Sequence, residues 1–442
     1  FHINDKWSYG WDVALATDRW FFQNYRMRTE SLTNLFLKES TSTLYLNGKS
    51  DTAWFDLRGY YFRALSYTDW QKQQPIVAPM LDYNKRFRGP SWLGGEVTVD
   101  ANVTALHRDA AAFQQTPRSS ALLYASGVAI YPTCAVYQRG NCIVRGIGGE
   151  YARGTIEASW RRNVIDGLGQ VWTPFLSARV TGVFNNPETT NYLNGQIGNF
   201  IDPDQKTYGS VMPAVGLMYR YPFVATTSWG THIIEPIAQI VARPNESRIA
   251  TTINEDAQSL VFDDTNMFSW NKFSGYDRTE GGVRANVGAQ YTGQFGKDSY
   301  ANLLFGQSYH LAGVNSFNRG DIANTGRDSG LQRDRSDYVA RAQFAPTTGW
   351  LFTAKGRFDE NSFNLQRAEL SATRSVNGFS TSLTYARYER QPELGVDRRR
   401  EGLHVSQSAK IYGGWSARGS VLFDLDKHLL DRERFAANYN LY

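Results

Sequence analysis

Apolar and polar residues alternate along much of this chain. From Gly95 to Ala105, every odd-numbered residue is Gly, Val or Ala, and every even-numbered residue is polar or charged. A period of two places the two sets on opposite faces of a β-strand. Similar alternation occurs at Trp7 to Leu15, Val283 to Tyr291, Trp415 to Phe423 and Phe435 to Leu441. The pattern therefore predicts a sheet with one apolar face and one polar face.

The segment from Trp172 to Phe184 indicates how long the predicted strands are. Its apolar face begins and ends with an aromatic ring and carries Leu176, Ala178 and Val180 between them. Steps of about 3.3 Å per residue, tilted by about 40°, place the two rings roughly 30 Å apart along a barrel axis. This separation is typical of a transmembrane β-barrel, whose apolar band lies between two aromatic girdles.

The pair Asn377-Gly378 fits a two-residue hairpin turn, which fixes the register of both flanking strands. The register places Leu370 and Ala372 opposite Tyr385 and Leu383, and Ser371 and Thr373 opposite Thr384 and Ser382. Apolar residues thus meet apolar residues and polar residues meet polar ones. Because a slip of one residue would invert every side chain, this agreement supports both the turn and the two-faced sheet.

The connections between the predicted strands alternate between long and short. Long ones lie near Asn185 to Tyr208, Pro244 to Thr279, Ala312 to Ser336 and Glu389 to Glu401; short ones lie near Asp166 to Gly169, Gln294 to Lys297, Pro346 to Thr348, Asn377-Gly378 and Tyr412 to Gly414. Outer-membrane barrels have long extracellular loops and short periplasmic turns, so we assign the long set to the exterior. We predict an all-β fold, a large antiparallel transmembrane barrel of about 20 strands or more.

Composition agrees with a barrel that spans a membrane. Aromatic residues make up 14% of the 442 residues, yet the mean hydropathy is −0.46. No run approaches the roughly 18 consecutive apolar residues of a membrane helix, so only a closed barrel can span. We treat residues 1–442 as one barrel domain.

The sequence offers little catalytic chemistry. The net charge of +5 is spread along the chain, which argues against nucleic-acid binding. The six histidines lack metal-ligand spacing, and no nucleophile elbow or phosphate-binding loop is present. Ser308 and His310 share a strand face, but two polar lumen residues explain them better than a catalytic pair. We predict no enzyme, no metal and no cofactor.

Several charged residues are predicted to face the barrel lumen. They are Glu96, Asp100, Arg179, Arg284 and Arg367. They are either a substrate lining or the ordinary solvated interior of a wet barrel. Guanidinium groups such as Arg284 and Arg367 would suit bidentate binding of a phosphorylated glycolipid.

Two prolines, Pro213 and Pro236, fall within strand-like runs. Proline removes a hydrogen bond from the ladder of a sheet, and it usually marks a bulge or an edge. Weak strand pairing is therefore expected in this middle region of the chain.

The two cysteines, Cys134 and Cys142, stand close together in a polar segment. A local disulfide in an oxidising compartment is favoured over two free thiols, and two residues cannot complete a metal site. Counting connections by parity places this loop outside as well.

The segment from Phe262 to Tyr291 resembles the most recognisable stretch of the outer-membrane LPS-assembly protein LptD family, also called organic solvent tolerance protein. The matching residues are Phe268, Phe273, Gly275, Asp277, Arg278, Glu280, Gly282 and Arg284, together with the upstream runs that contain Pro213, Tyr221-Pro222-Phe223 and Glu235-Pro236. The resemblance covers most of the chain, and its motifs are concentrated in the central third.

The resemblance implies a large barrel in the Gram-negative outer membrane, plugged by a small lipoprotein of the LptE type. Such proteins receive lipopolysaccharide from a periplasmic bridge and insert it into the outer leaflet. The sugar chain passes through the lumen, and the acyl chains leave between the first and last strands. The alternative function is that of another large barrel, a porin or a TonB-dependent-type receptor.

The chain departs from the family pattern in two respects. The family has an N-terminal periplasmic jelly-roll and a paired cysteine near the end of the barrel, which Cys134 and Cys142 do not match. We therefore expect the jelly-roll and the last strands to lie outside this piece. We carry over no gate residue.

The loop from Phe262 to Glu280 carries Trp270, Phe273 and Tyr276, which need a surface to pack against. Folding inward would make it a lid over the lumen or a contact for the plug; the alternative is an exposed loop. Our hypothesis is that Asp277, Arg278, Glu280 and Arg284 form a buried charge network that anchors the loop.

Overall fold

The computed structural model describes residues 1–15, 18, 39–65, 70–115, 142–188, 201–258, 260–411 and 413–439. The strands are β1 Trp7–Asp12, β2 Glu39–Lys49, β3 Ala53–Ala64, β4 Ile76–Arg88, β5 Glu96–Arg108, β6 Ala112–Gln115, β7 Cys142–Gly146, β8 Gly149–Arg161, β9 Val164–Ile165, β10 Val171–Pro187, β11 Thr207–Arg220, β12 Phe223–Thr227, β13 Gly230–Ala242, β14 Val283–Phe295, β15 Ser299–Ala312, β16 Tyr338–Ala345, β17 Trp350–Phe358, β18 Leu365–Val376, β19 Phe379–Tyr388, β20 Arg400–Lys410, β21 Trp415–Asp424 and β22 Leu429–Tyr439. One-turn 3₁₀ helices lie at Gln71–Gln73, Ser316–Asn318 and Pro392–Leu394.

In the described residues, 20 of these strands form one antiparallel sheet, and β6 and β7 form a separate pair. Each long strand pairs with the next one along the chain, with β5 pairing with β8. β9 continues β8, and β12 continues β11, in the same register. The 20 strands therefore occupy 18 neighbouring positions in the sheet. The predicted all-β fold with a large antiparallel sheet is confirmed. Within the described residues, no pairing joins β22 to β1.

The two faces of the sheet have the polarity of a membrane protein. Large apolar side chains on the outer face are between 50% and 66% exposed, namely Ile156, Leu176, Val180, Val211 and Val215. Their neighbours on the inner face are polar and buried, for example Asn102, Arg153, Thr155, Glu157 and Ser177. A soluble sheet has the reverse arrangement, because its apolar face forms the core. The predicted alternation of apolar and polar faces is therefore present, with the apolar face outward.

The hairpin of β18 and β19 has the predicted register. Ala372 pairs with Leu383, and Thr373 pairs with Ser382. Asn377 and Gly378 have φ values of 48° and 82°. Positive φ at both central residues defines the type I′ turn, whose twist matches that of the strands it joins.

The connections also alternate as predicted. Short turns such as 296–298, 346–349 and 377–378 lie at one end of the sheet, and long connections such as 243–282 and 313–337 lie at the other. Strand β5 ends and β8 begins at the same end of the sheet as these long connections, and the predicted outside location of the loop between them stays a prediction. Cys134 and the side chain of Cys142 lie outside the described part of the chain, so their disulfide stays a prediction.

Two long connections fold inward over the polar face. The first, residues 243–282 between β13 and β14, is called the inserted loop below. Its Ile249, Phe262 and Met267 are buried with Phe317 and Leu331 of the connection between β15 and β16. A second cluster joins Ile253 to Tyr151 of β8 and to Ile322. The hydrophobic core thus lies inside the curved sheet and consists mostly of loop residues.

No helix in the described ranges has the length and the apolar composition that crossing a membrane would require.

Candidate functional site

The inserted loop is held in shape by two carboxylates that cap each other's backbone. Asp256 accepts hydrogen bonds from the N–H groups of Tyr276 and Asp277, at 3.0 Å each. Asp277 in turn accepts from the N–H groups of Glu255 and Asp256, at 2.6 and 3.1 Å. Gly275 has a φ of 68°, and a Cβ there would lie 2.5 Å from the Asp256 carboxylate. A glycine is therefore required where the two segments meet.

Asp277 also attaches the loop to strand β8. It pairs with Arg153 at 2.6 Å and accepts a hydrogen bond from the Tyr151 hydroxyl. Burial tends to raise the pKa of Asp277, but the Arg153 guanidinium and the hydrogen bonds outweigh it and lower the pKa. Asp256, 2.9 Å from Arg153, is the weaker acid, because burial and the neighbouring Asp277 charge raise its pKa to about 6.

A second attachment joins the loop to strand β5. The guanidinium of Arg108 forms two hydrogen bonds with the Glu255 carboxylate, at 3.0 and 2.9 Å. Glu255 also accepts from the N–H of Ile147 at 2.9 Å. Complete burial raises the pKa of Glu255 even though Arg108 opposes the change. Such a bidentate pair fixes direction as well as distance.

At the base of the loop, three buried cations surround one carboxylate. Glu280 lies 3.0 Å from Arg243 and 2.5 Å from Arg284. Lys272 is buried beside them and donates to the carbonyl of Ser269 at 3.3 Å. Burial lowers the pKa of Lys272 to about 7. Burial acts against the charge of Glu280, but the three cations lower its pKa to about 2.

The far side of the loop reaches strands β16 and β17. Asp264 pairs with Arg341 of β16 at 3.1 Å and with Lys355 of β17 at 3.2 Å. Arg278 pairs with Asp321 of the neighbouring connection at 2.9 Å. The inserted loop thus bridges the inner wall from β5 and β8 to β17.

Aromatic residues complete these contacts. Tyr276 lies under the guanidinium groups of Arg153 and Arg179, at 5.3 and 5.5 Å, and Trp270 lies 5.4 Å from Arg179. Phe273 packs against Phe317 with ring centroids 4.7 Å apart. These rings explain why the loop folds inward, because each one covers a cation or another ring.

The four charges of the predicted network are buried, but they do not form one network. Glu280 and Arg284 pair with each other, whereas Asp277 and Arg278 pair with Arg153 and Asp321. Of the other motif residues, Gly282 has a φ of 78°, and a Cβ there would lie 2.7 Å from the Ala312 carbonyl. The Phe268 carbonyl accepts from Gln239 of β13 at 2.8 Å.

Of the predicted lumen charges, Asp100 and Arg179 lie in one row across β5, β8 and β10, with Glu157 between them, whereas Glu96 and Arg367 lie elsewhere on the wall. Arg179 pairs with Glu157 at 2.7 Å, and Glu96 pairs with Arg161 at 3.1 Å near the short turns. Asp100 accepts a hydrogen bond from Asn84 at 2.6 Å, and Arg367 lies 3.5 Å from Glu369. The structure thus groups Asp100 with Arg179 and does not bring all four charges into a single site.

The candidate catalytic pair is not in contact. The Ser308 hydroxyl donates to Asn286 at 2.6 Å, while His310 lies 3.1 Å from the Gly313 carbonyl. Across the described ranges, no three His, Cys, Asp or Glu side chains meet in a group that could hold a metal ion.

A large antiparallel sheet, apolar outside and polar inside with a loop folded into it, is the architecture of an outer-membrane β-barrel. Residues 1–418 match the model of the LptD family, described as LPS transport system D. The chain belongs to this family, whose members serve transport and assembly, and it is an outer-membrane protein.

Among solved structures, the chain is similar to two proteins of iron uptake over most of its own length. A mutant of the ferric enterobactin receptor PfeA from Pseudomonas aeruginosa is 10% identical with a TM-score of 0.41; the match covers 88% of this chain and 59% of the receptor. The FrpB iron transporter of Neisseria meningitidis (F5-1 variant) is 9% identical with a TM-score of 0.37, over 89% of this chain and 61% of the transporter. The chain therefore spans about three fifths of the length of each. No curated protein matches the chain at a significant level.

Proposed function

We propose that this protein is an integral barrel of the Gram-negative outer membrane that inserts lipopolysaccharide into the outer leaflet. The match to the LPS transport family over residues 1–418 is the observation that carries the proposal. The transport involves no covalent chemistry; the wall provides a polar path for a sugar head and an apolar surface for acyl chains.

The inner wall of strands β18 to β21 suits the passage of sugars. Facing hydroxyls follow one another across it, for example Thr373, Ser382, Ser406 and Ser420. Short hydroxyl side chains offer hydrogen bonds to a carbohydrate without the strong attraction that would trap it. The glycolipid head would move along this wall, because the inserted loop covers the wall from β5 to β17.

The residues singled out in the sequence have the following roles in this proposal. The inserted loop is the lid, anchored through Asp277, Arg278, Glu280 and Arg284. The lumen charges Glu96, Asp100, Arg179 and Arg367 belong to the solvated lining. A lipoprotein plug of the LptE type and a periplasmic lipopolysaccharide bridge are the proposed partners, and the jelly-roll would receive the lipid from that bridge.

Photo-crosslinking in living cells tests the function. A photoreactive residue at Ser382, on the open inner wall, is expected to capture lipopolysaccharide during its synthesis. The matched position is Thr155, an inner-wall residue that is buried against β10, where no adduct is expected. Absence of lipopolysaccharide at Ser382, together with nutrient conductance by the purified protein, would favour a porin or a receptor instead.

A further inference from the structure

The outer face of strands β15 to β19 contains a groove in the half nearest the short turns. Its volume is about 600 Å³, within the roughly 300–1,000 Å³ range of sites that hold small organic molecules. Ala342 of β16 and Ala354 of β17 pair across its floor. Leu303 of β15 and Leu383 of β19 form its sides, and both are a little less than half exposed. Because an alanine side chain ends at Cβ, the surface is lower here than on either side.

A second, smaller groove adjoins the first on the same face. Its volume is about 340 Å³, and Ile234, Ala289, Tyr291 and Phe305 line it together with Leu303. Leu303 lines both grooves, so its side chain is the ridge between them. Two neighbouring apolar grooves fit a lipid with two acyl chains.

The first groove lies in one leaflet of the membrane. Trp350 begins β17 directly after a short turn, and Trp415 begins β21 at the same end, so these rings mark the aromatic girdle on that side. Phe352 and Ala354 follow Trp350 by two and four residues. At about 3.3 Å per residue and a tilt of about 40°, the groove lies about 5 to 10 Å from the girdle, within half of a roughly 30 Å hydrocarbon core. Short turns face the periplasm, so this half is the inner leaflet, whose lipids are glycerophospholipids.

A cation lies at the rim of the groove, at the level of the girdle. Arg374 of β18 pairs with Trp350 in the ladder and faces outward with it. Its guanidinium carbon lies 5.0 Å from the centre of the Trp350 ring, so the group reaches over β17. Among the residues that the structure describes, no carboxylate forms an ion pair with Arg374. Ala372, the next outward residue of β18, lines the groove.

The position of Arg374 favours a phosphate as its partner. A guanidinium that lies over a ring keeps its N–H edge free, and the planar fork of that edge fits two phosphate oxygens. Trp350 is itself stacked on Phe352, with ring centroids 5.4 Å apart, which limits how far the indole can turn. A cation beside hydrocarbon is costly unless it reaches water or an anion at the interface. A lipid phosphate supplies that anion at the right depth.

We propose that the outer face of β15 to β19 is a binding site for one glycerophospholipid of the inner leaflet. The phosphate meets Arg374 beside Trp350, one acyl chain lies over Ala342 and Ala354, and the other lies beyond Leu303. The site is on the opposite face of the wall from the proposed path of lipopolysaccharide. It therefore does not depend on the proposed function.

Native mass spectrometry of the full-length protein, purified from outer membranes in a mild detergent, tests the site. Ala354→Trp fills the floor of the groove with an apolar ring, and Arg374→Gln removes the charge and keeps a polar side chain. The matched controls lie in one outward row on another part of the wall, where Lys85 and Ala158 flank Val99. They are Ala158→Trp and Lys85→Gln.

We expect the unmodified protein to retain one phospholipid. Ala354→Trp and Arg374→Gln should each reduce the retained fraction about tenfold, as the loss of one interaction with a charged group does. The two controls should retain the lipid, and heat-modifiable migration in a gel shows that each barrel is folded. Retention by folded Ala354→Trp at the level of the unmodified protein would overturn the proposal.

Photo-crosslinking identifies the occupant without changing the charge at the rim. A photoreactive residue replaces Ala342 on the floor or Ala158 on the control surface, and light is applied after purification, so that only lipid that stays bound is captured. Phospholipid adducts are expected at Ala342 and none at Ala158. Capture of lipopolysaccharide or of another protein at Ala342, or equal capture of phospholipid at both positions, would overturn the proposal.

Discussion

Asp277 connects two segments of the inserted loop and attaches the loop to strand β8. Its two oxygens serve Arg153, the Tyr151 hydroxyl and two backbone N–H groups, and almost none of its side chain is exposed. Removing its charge leaves Arg153 buried with the partly exposed Asp256 as its acid partner.

Asp277→Asn should therefore weaken the inserted loop by up to about 3 kcal/mol, the low end of the cost of breaking a buried ion pair, because Asp256 still faces Arg153. The expected result is faster hydrogen exchange in residues 253–282 and greater entry of a large antibiotic into cells. Asp298→Asn, in an exposed short turn, is the control and should change neither. Unchanged exchange in Asp277→Asn would show that the loop does not depend on this carboxylate.

Lys272 gives the loop a pH dependence. Its pKa of about 7 in the folded loop is below its usual value of 10.5, because burial opposes its charge. The folded loop therefore binds fewer protons than the unfolded one between pH 7 and 10.5, so stability rises with pH there, by at most about 1.4 kcal/mol per unit. Below pH 7 the full cost of the buried charge is present.

Protection of the loop from exchange, after correction for the intrinsic rate, should increase from pH 7 to pH 9. Lys272→Met should abolish the increase, and Lys297→Met, at an exposed turn, should retain it. Asp256, with a pKa of about 6, acts in the opposite direction but below this window. A flat profile in the unmodified protein would contradict the prediction.

Residue by residue, the sequence indicated which loop carries the chemistry but not which side chains meet. Asp277, Arg278, Glu280 and Arg284 are close in sequence, so they suggested one network. Their actual partners Arg153 and Asp321 are far away along the chain, and pairing over such distances depends on how the loop crosses the lumen. The local sequence was sufficient to predict that these four charged residues are buried. It was insufficient to predict the residues with which they form ion pairs.

Hairpins with short turns are the elements in which sequence and structure agree most closely. In the hairpin of β18 and β19 the turn sets the register and the alternation sets the faces, and both signals are local. The pairing of β11 with β13 was only partly predictable. Pro213 and Pro236 indicated weak pairing, and the observed ladder is broken between β11 and β12 and ends at Val215 with Ala242.

Gly378→Ala should destabilise this hairpin, since Gly378 has a φ of 82° and a Cβ would lie 3.2 Å from the Lys410 Cβ. A cost of about 1 kcal/mol or more is expected. Gly167→Ala is the control, because a Cβ there meets nothing within 4 Å. Urea unfolding of the barrel in detergent measures the difference; equal midpoints for both variants would argue against the type I′ turn.

At the scale of the whole molecule, the two faces of the sheet should differ in how well they tolerate a charged substitution. Val180→Arg places a charge on the outer face and should cost about 2 to 4 kcal/mol, because the charge enters hydrocarbon. Ser382→Arg, on the inner wall, should cost far less. Unfolding from lipid vesicles measures both, and an equal cost would contradict the assignment of the faces.

The inserted loop also has a mechanical consequence. A wall one strand thick bends easily, and the opposite sides of a wide barrel have no contact of their own. Here Asp277 of the inserted loop pairs with Arg153 of β8, and Asp264 of the same loop pairs with Lys355 of β17. The loop thus connects two separate parts of the wall across the interior. Lateral pressure from the surrounding lipid is then carried across the interior by ion pairs as well as around the rim by hydrogen bonds. The inserted loop therefore constrains the distance between β8 and β17, in addition to the hydrogen bonds that join neighbouring strands.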